Sequence, residues 1–140
     1  IYGTLRDAKR NYIDCRDVAT VAIHYLLTPE QVKEGSVILA GPQAISNIEM
    51  ADKLSHVTGR KIEYVNVTAD EFFSLLTRKA KLPEWLASHI VELDNLALHI
   101  PEPECDTITN LILRKPRIMD EYLQEYRYLF KRKPFWKLLI

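Results

Sequence analysis

The sequence predicts an α/β fold that becomes entirely helical in its second half. Two segments, 36–40 and 61–67, are short runs rich in β-branched and other apolar side chains, which is typical of strands. A capped helix is predicted between them, so that strand, helix and strand follow one another in about thirty residues, the length of a βαβ unit. After Thr68 the apolar side chains recur at three- and four-residue spacing, which indicates helices.

The first predicted helix begins after Asp14, whose carboxylate suits the N-cap position. Asp17 adds a second carboxylate in the first turn, where the helix dipole favours negative charge. Helix capping, rather than catalysis, is the simpler interpretation of both aspartates. Arg16 opposes the dipole in the same turn, so we expect it either to pair with a carboxylate or to face a binding site. Pro29 ends the helix.

The segment 36–40 is a continuous apolar run stopped by a Gly-Pro pair, which predicts a strand buried on both faces of a parallel sheet. The next helix begins in a capping box, with Ser46 as the cap and Glu49 three residues later. Gly59 is expected to end it in the left-handed conformation. The segment 61–67 then completes the βαβ unit, for which a right-handed crossover is expected.

The second half begins with another capping box, formed by Thr68 and Glu71. Pro83 opens a further helix, because a missing N–H costs nothing in a first turn. Its apolar stripe from Trp85 to Ile100 is long enough to cover a core or to roof a cleft. A basic turn then leads into a last helix at about 118–130.

These elements divide the chain into three regions. We assign the strands and helices of an α/β fold to 1–67, a helical lobe to 68–131, and a basic and aromatic tail to 132–140. Cations and aromatic side chains together could bind nucleic acid or anionic lipid. Nineteen basic and nineteen acidic side chains cancel over the whole chain, so no global field draws it to either. We therefore expect neither a nucleic-acid partner nor a membrane partner.

Composition and cysteine use indicate the broad class of protein. With 140 residues, 47% of them hydrophobic, the chain can bury one core. Cys15 and Cys105 lie far apart in the sequence, which argues against a disulfide framework and favours reduced thiols and a cytoplasmic location. The chain begins at Ile1 without an initiator methionine, so we expect it to be a piece of a longer protein.

No motif for catalysis, metal binding or cofactor binding is present. The four histidines never occur at the i, i+4 spacing of a helical zinc pair. The four glycines are scattered singly, and no G-x-G-x-x-G loop can be built from them. We therefore assign no catalytic residue, no metal ligand and no cofactor-binding residue within this stretch.

Four motifs carry a family resemblance. Residues 11–19, N-Y-I-D-C-R-D-V-A, are similar to the N-F-I-D-x-R-D-V-A of the NmrA-like family, a group of atypical short-chain dehydrogenases/reductases. Residues 40–46 resemble its T-G-P-E-A-L-S, and 58–65 and 82–86 match in the right order. The usual T-G-R-x-P-x-T-F lead into the last helix differs here and appears as L-R-K-P-R-I-M at 113–119.

The resemblance implies the C-terminal part of a Rossmann-like NAD(P)-binding fold with a helical substrate-side lobe. It implies a cofactor loop upstream of Ile1, NAD or NADP in the parent protein, and none bound by this fragment alone. The expected partners are the missing N-terminal half and a small organic substrate reached through the parent. The parent is either an NAD(P)H-dependent oxidoreductase or an NAD(P)-sensing regulator that binds a protein partner without turnover, and the fragment is not expected to be catalytic alone.

The resemblance also implies where substrate binds. Ligands of such folds lie beyond the carboxyl ends of the strands, so the loop before the first helix and the helix after Pro83 are expected to form the pocket wall. That helix is flanked by loops that would let it move as a lid over the cleft. The alternative is that the side chains of Trp85 and His89 fill the core. The predicted substrate-binding residues are Asn11, Tyr12, Arg16, Leu82, Trp85 and His89.

Overall fold

The computed structural model describes residues 1–31, 35–100 and 106–131. Its strands are β1 (Tyr2–Gly3), β2 (Lys9–Asn11), β3 (Ala44–Ser46) and β4 (Val65–Asn66). Its helices are α1 (Cys15–Leu27), α2 (Asn47–Thr58), α3 (Ala69–Ser74), α4 (Glu84–His99), α5 (Thr107–Ile112), α6 (Met119–Glu125) and α7 (Arg127–Lys131). A 3-10 turn at Pro29–Gln31 follows α1, and a π-helical turn at Leu75–Lys79 continues α3.

The strands form two small separate sheets. β1 and β4 are parallel, with Tyr2 opposite Val65. β2 and β3 are antiparallel, with Arg10 opposite Ile45. The described chain therefore combines strands and helices up to β4 and continues in helices alone, as the sequence predicts.

The prediction of a strand over 36–40 is wrong, and so is the βαβ unit built on it. No strand forms there, and the side chains of Val37 and Ile38 are 40% and 63% exposed. β3 and β4, which flank α2, belong to different sheets. An apolar run indicates burial, whereas a strand also needs a neighbour that completes its ladder. The described residues bring β2 alongside 44–46 instead, and the second predicted strand shortens to Val65–Asn66.

The predicted start of α1 and the predicted start and end of α2 are confirmed. The Asp14 carboxylate accepts the Arg16 N–H at 2.8 Å and caps α1. The Ser46 N–H donates to Glu49 Oε2 at 2.7 Å while the Glu49 N–H donates to Ser46 Oγ at 3.2 Å, which completes the capping box of α2. Gly59 ends α2 at φ 67°.

Gly41 lies directly against the backbone before α1. A Cβ placed on Gly41 would lie 1.7 Å from the Tyr12 carbonyl oxygen. Only glycine permits this approach, because backbone atoms cannot move aside as a flexible side chain can. The two motifs at 11–19 and 40–46 are therefore in contact in the fold.

The core is small, and its residues lie on helices, on β3 and in the segments between elements. Asp17, on α1, is the one charged side chain with no exposed surface among the described residues. The last predicted helix is interrupted at Tyr126 and forms α6 and α7, and the predicted tail at 132–140 lies outside the described residues. Within the described ranges, no helix combines the length and the apolar character that crossing a bilayer requires. The buried apolar side chains are Leu5, Val21, Ala40, Ile45, Ala51, Leu54, Leu76, Ala87, Ile108 and Leu123.

Candidate functional site

A groove of about 870 Å³ lies beyond the carboxyl ends of the two parallel strands. β1 ends at Gly3 and β4 at Asn66, so the chain segments that leave both strands emerge at the same edge. Thr4 follows β1 and Val67 follows β4, and both line the groove. This is the edge at which α/β folds generally bind ligands.

Helices α3 and α4 form the rest of the groove wall. α4 contributes side chains at three- and four-residue spacing, which places them on one face of the helix. The lining residues are Thr4, Arg6, Asn66, Val67, Thr68, Ala69, Asp70, Glu71, Phe73, Ser88, Val91, Glu92, Asn95 and Leu98. The groove therefore combines one aromatic ring, several hydroxyl and amide groups, and more acidic than basic side chains.

The loop after β1 is held to the end of β4 by a side-chain amide. The Arg6 N–H donates to Asn66 Oδ1 at 3.0 Å, and the Tyr64 hydroxyl donates to the same oxygen at 3.0 Å. Arg6 adopts φ 51°, a left-handed conformation that costs a non-glycine residue free energy. Asn66 therefore fixes the mouth of the groove on the strand side.

Glu71 contributes a carboxylate to the groove wall, but its oxygens already accept hydrogen bonds. Glu71 Oε2 accepts the Thr68 N–H and the Thr68 hydroxyl, both at 2.9 Å. These bonds, the backbone one foremost, lower the pKa of Glu71. Glu71 is therefore a helix-capping carboxylate and is unsuited to donating a proton at neutral pH.

A buried carboxylate joins the two walls of the groove. Asp94, on α4, has a side chain only 8% exposed and pairs with Arg10 at 3.0 Å. The Thr4 hydroxyl donates to its other oxygen at 3.0 Å. Among the described residues, Arg10 Nε is buried without a hydrogen-bond partner. Asp94 does not line the groove, yet it holds Thr4, which does.

A second, smaller cavity of about 280 Å³ lies beside the start of α1. Tyr12 and Cys15 line it from the α1 side, and Arg117 and Tyr122 from the side of α6. Cys15 is exposed and is a free thiol. The side chains of the described ranges form no group of three histidines, cysteines or carboxylates that could hold a metal ion.

The sequence left two alternatives for Arg16, and the structure shows the paired one. Its guanidinium donates to Asp14 at 2.7 Å and to Glu125 of α6 at 2.7 Å. It also lies over the Tyr126 ring, 5.6 Å from the centroid. The hydrogen bond from Arg16 is the main cause that lowers the pKa of Asp14 to about 2.

The predicted pocket residues occupy separate places in the described chain. Asn11 ends β2 and Tyr12 follows it. Leu82 lies before α4, where its N–H donates to the Leu76 carbonyl at 3.0 Å. Trp85 and His89 share one exposed face of α4, and Trp85 is 72% exposed. Of the six predicted residues, Tyr12 lines the smaller cavity, and none lines the groove.

The sequence interpretation missed the groove residues on the strand side and on the second face of α4. Asn66 gave a usable signal, because it is a polar residue at the carboxyl end of a short strand. Thr4 gave none, since β1 has only two residues and no readable alternation. On α4 the prediction followed the apolar stripe through Trp85, whereas Ser88 and Asn95 lie on another face.

Comparison with known proteins gives relatives that are longer than this chain. No protein-family model matches it. The NAD(P)H azoreductase of Xenophilus azovorans is 31% identical over 134 residues, which cover 92% of the chain and 45% of the azoreductase. The agroclavine dehydrogenase of Claviceps fusiformis is 27% identical over 126 residues, which cover 89% of the chain and 43% of the dehydrogenase.

A solved structure shows the same fold. The Citrobacter sp. triphenylmethane reductase complexed with NADP(H) superimposes with a TM-score of 0.77 at 21% identity. The match covers 89% of the chain and 43% of the reductase. At this identity the likeness establishes the fold alone. The chain spans less than half the length of each of these three proteins.

Proposed function

The chain corresponds to the C-terminal half of an NmrA-like, atypical short-chain dehydrogenase/reductase protein, and on this premise we propose that the whole protein is an NAD(P)H-dependent oxidoreductase acting on a small organic substrate. Its fold is the C-terminal part of a Rossmann-like NAD(P)-binding fold. The relatives named above include an NAD(P)H azoreductase and a dehydrogenase, which supports reduction or oxidation as the reaction class.

The groove at the carboxyl ends of β1 and β4 is the observation that carries this proposal. Its volume of about 870 Å³ suits a small organic molecule. Phe73 offers a ring surface, and Thr4, Ser88 and Asn95 offer polar groups that could fix the orientation of a substrate. We propose that substrate binds here.

The cofactor of the whole protein is proposed to be NAD or NADP, which would supply the hydride. The residues present here do not fit its pyrophosphate. The helix starts that would offer backbone N–H groups carry carboxylates instead: Asp14 and Asp17 at α1, Glu49 at α2 and Glu71 at α3. We therefore assign no cofactor contact to these residues and propose that the missing N-terminal half holds the dinucleotide.

The six residues predicted from the resemblance stay a proposal for the whole protein. Trp85 and His89 form an exposed face of α4 that is free, within the described residues, to meet a substrate or the missing half. Tyr12 lines the smaller cavity, and Arg16 is hydrogen-bonded to Asp14, which also lines it. A cytoplasmic location with reduced thiols is proposed with them, on the wide separation of the two cysteines in the sequence.

The test is substrate-dependent oxidation of NADH and NADPH by the full-length protein. We expect turnover with the azo dye methyl red or the quinone menadione, measured as the loss of absorbance of the reduced cofactor. Ser88→Trp should fill the groove and raise KM about tenfold or more, equivalent to about 1.4 kcal/mol. His56→Trp, at an exposed position of α2 outside the groove, is the matched control. Cofactor binding without turnover on any dye or quinone would contradict the proposal and favour a regulatory protein.

A further inference from the structure

Asp94 is a charged group buried where two walls of the groove meet. It extends from α4, which supplies Ser88, Glu92 and Asn95 to the groove on a neighbouring face. One carboxylate oxygen accepts the Thr4 hydroxyl at 3.0 Å, and the other pairs with Arg10 Nη2 at 3.0 Å. The carboxylate therefore ties α4 to the end of β1 and to β2 at once.

This arrangement fixes the chemistry that Thr4 can offer to a ligand. A hydroxyl carries one donor hydrogen and two acceptor lone pairs. An ionised carboxylate paired with an arginine can only accept hydrogen bonds. Thr4 must therefore donate its hydroxyl hydrogen to Asp94. Toward the groove, the Thr4 hydroxyl oxygen is then available only as a hydrogen-bond acceptor.

We propose that Asp94 is a positioning residue that holds the Thr4 hydroxyl as a hydrogen-bond acceptor in the groove, so that the groove selects ligands carrying an N–H or O–H donor. The proposal rests on the groove being the substrate site, as argued above. It assigns a specificity role to Thr4 and an indirect role to Asp94, which is not itself exposed to the groove.

The test uses two azo dyes that differ in donor capacity. 4-Aminoazobenzene carries an N–H donor, and 4-(dimethylamino)azobenzene has the same skeleton without it. The dissociation constant of each dye is measured by titration of the full-length protein. We expect the wild type to bind the aminoazobenzene about fivefold to tenfold more tightly than its dimethyl analogue, as one hydrogen bond implies.

Variants of Thr4 distinguish the effect of its hydroxyl on binding from the effect of its side-chain volume. Thr4→Val keeps the shape, removes the acceptor and should bring the ratio of the two dissociation constants close to one. Thr4→Ser keeps the hydroxyl and should retain the wild-type ratio. Equal weakening of both dyes by Thr4→Val, or a wild-type ratio near one, would overturn the proposal.

Variants of Asp94 test the positioning role. Asp94→Ala removes the acceptor that orients the Thr4 hydroxyl. This variant should lower the ratio of the dissociation constant of the dimethyl dye to that of the aminoazobenzene, with little change in binding of the dimethyl dye. If that variant does not fold, the double variant Arg10→Met/Asp94→Leu replaces the ion pair by apolar groups of similar volume, a change that buried pairs often tolerate. An unchanged ratio in a folded Asp94 variant would refute the role of Asp94. Because binding is measured, the result is independent of turnover, whose absence would instead count against the proposed function.

Discussion

At the scale of single residues, Asp17 shows how one side chain joins distant parts of the chain. It has no exposed surface, and it accepts hydrogen bonds from the Arg114 guanidinium at 2.5 Å, the Arg117 N–H at 2.7 Å and the Arg117 guanidinium. Burial alone would raise the pKa of Asp17, but the two arginines outweigh burial and lower it. The basic turn before α6 is therefore fastened to α1 through this carboxylate.

Replacing Asp17 should destabilise the fold. For Asp17→Asn we expect a loss of about 2–3 kcal/mol, somewhat less than for a fully buried pair, because the arginine side chains are 37% and 33% exposed. The measurement is urea unfolding, with Asp52→Asn at an exposed position of α2 as the control. A loss no larger than that of the control would mean that the two ion pairs contribute nothing.

The pH dependence follows from the same carboxylate. Its pKa is lower in the folded chain than the value of about 3.9 expected when unfolded, so its stabilisation is complete above pH ~4. Stability should fall as the pH drops through the lowered pKa values of Asp17 and of Asp14, the latter about 2. Unfolding midpoints in urea measured between pH 2 and pH 6 check this. The decline should be shallower in Asp17→Asn than in the wild type.

Asp14 is expected to be structural and not catalytic. Asparagine caps helices nearly as well as aspartate, so Asp14→Asn should leave turnover of the full-length protein within a fewfold, while Asp14→Ala should cost about 1 kcal/mol of stability. Steady-state kinetics and thermal unfolding of both variants provide the comparison. A hundredfold loss of turnover in a stable Asp14→Asn variant would place this carboxylate in the chemistry.

Gly41 and Gly35 make a matched pair for testing backbone packing. A methyl group at Gly41 would collide with the Tyr12 carbonyl, whereas nothing lies within 4 Å of the corresponding position at Gly35. Gly41→Ala should therefore cost about 1–3 kcal/mol, the range for overpacking, and Gly35→Ala should be neutral or slightly stabilising. Urea unfolding of the two variants distinguishes them. Equal changes in the free energy of unfolding for the two variants would show that the close contact between Gly41 and Tyr12 does not contribute to stability.

At the scale of elements, α4 presents different chemistry on its different faces. Ala87 and Asp94 are buried, Ser88 and Asn95 line the groove, and Trp85 is exposed. The core alternative for Trp85 predicts a buried ring, whereas the lid hypothesis predicts a ring that can reach a substrate. Trp85 is exposed, which argues against its packing in the core of the described residues.

Truncating Trp85 should change stability little. We expect Trp85→Ala to shift the free energy of unfolding by less than about 0.5 kcal/mol, as for surface positions generally. Leu76→Ala, at a buried position of the adjacent π-helical turn, should cost about 2–5 kcal/mol. If Trp85 lines the pocket of the full-length protein, its variant should also raise KM. Unfolding of the Trp85 variant on purification would disprove the lid hypothesis.

At the scale of the whole molecule, the described chain is an α/β part followed by helices, with the groove between them. Several large apolar side chains of α1 are exposed, among them Leu26 at 80% and Leu27 at 77%. The chain spans less than half the length of the relatives named above, and we propose that the missing N-terminal half covers these exposed side chains in the whole protein.

The 140 residues alone should not bind NAD(P)H. The starts of α1, α2 and α3 carry carboxylates, and the sequence has no glycine-rich phosphate-binding loop. A fluorescence titration should give a dissociation constant above ~10 μM for this chain, corresponding to binding weaker than about −7 kcal/mol, and a lower value for the full-length protein. Circular dichroism establishes that the chain is folded in the titration. Tighter binding by the chain itself would reassign the cofactor site to these residues.

The sequence was sufficient for features set by local chemistry. The caps at Asp14, Ser46 and Thr68 were predicted because a side-chain acceptor and the N–H it serves lie within three residues. Gly59 was predicted because a left-handed helix end favours glycine over other residues. The family motifs also led from the sequence to the fold, which the solved structures confirm.

The tertiary structure alone decided which distant groups meet. The strand predicted over 36–40 failed because a ladder depends on a neighbour far along the chain, and β2 pairs with 44–46 instead. The partners of Asp17 and Asp94 are separated from them by up to 100 residues, so no local pattern indicates them. The groove was missed for the same reason. It exists only where the ends of two short strands and one face of α4 converge, whereas sequence periodicity shows which face of a helix is apolar and not which face lines a cavity.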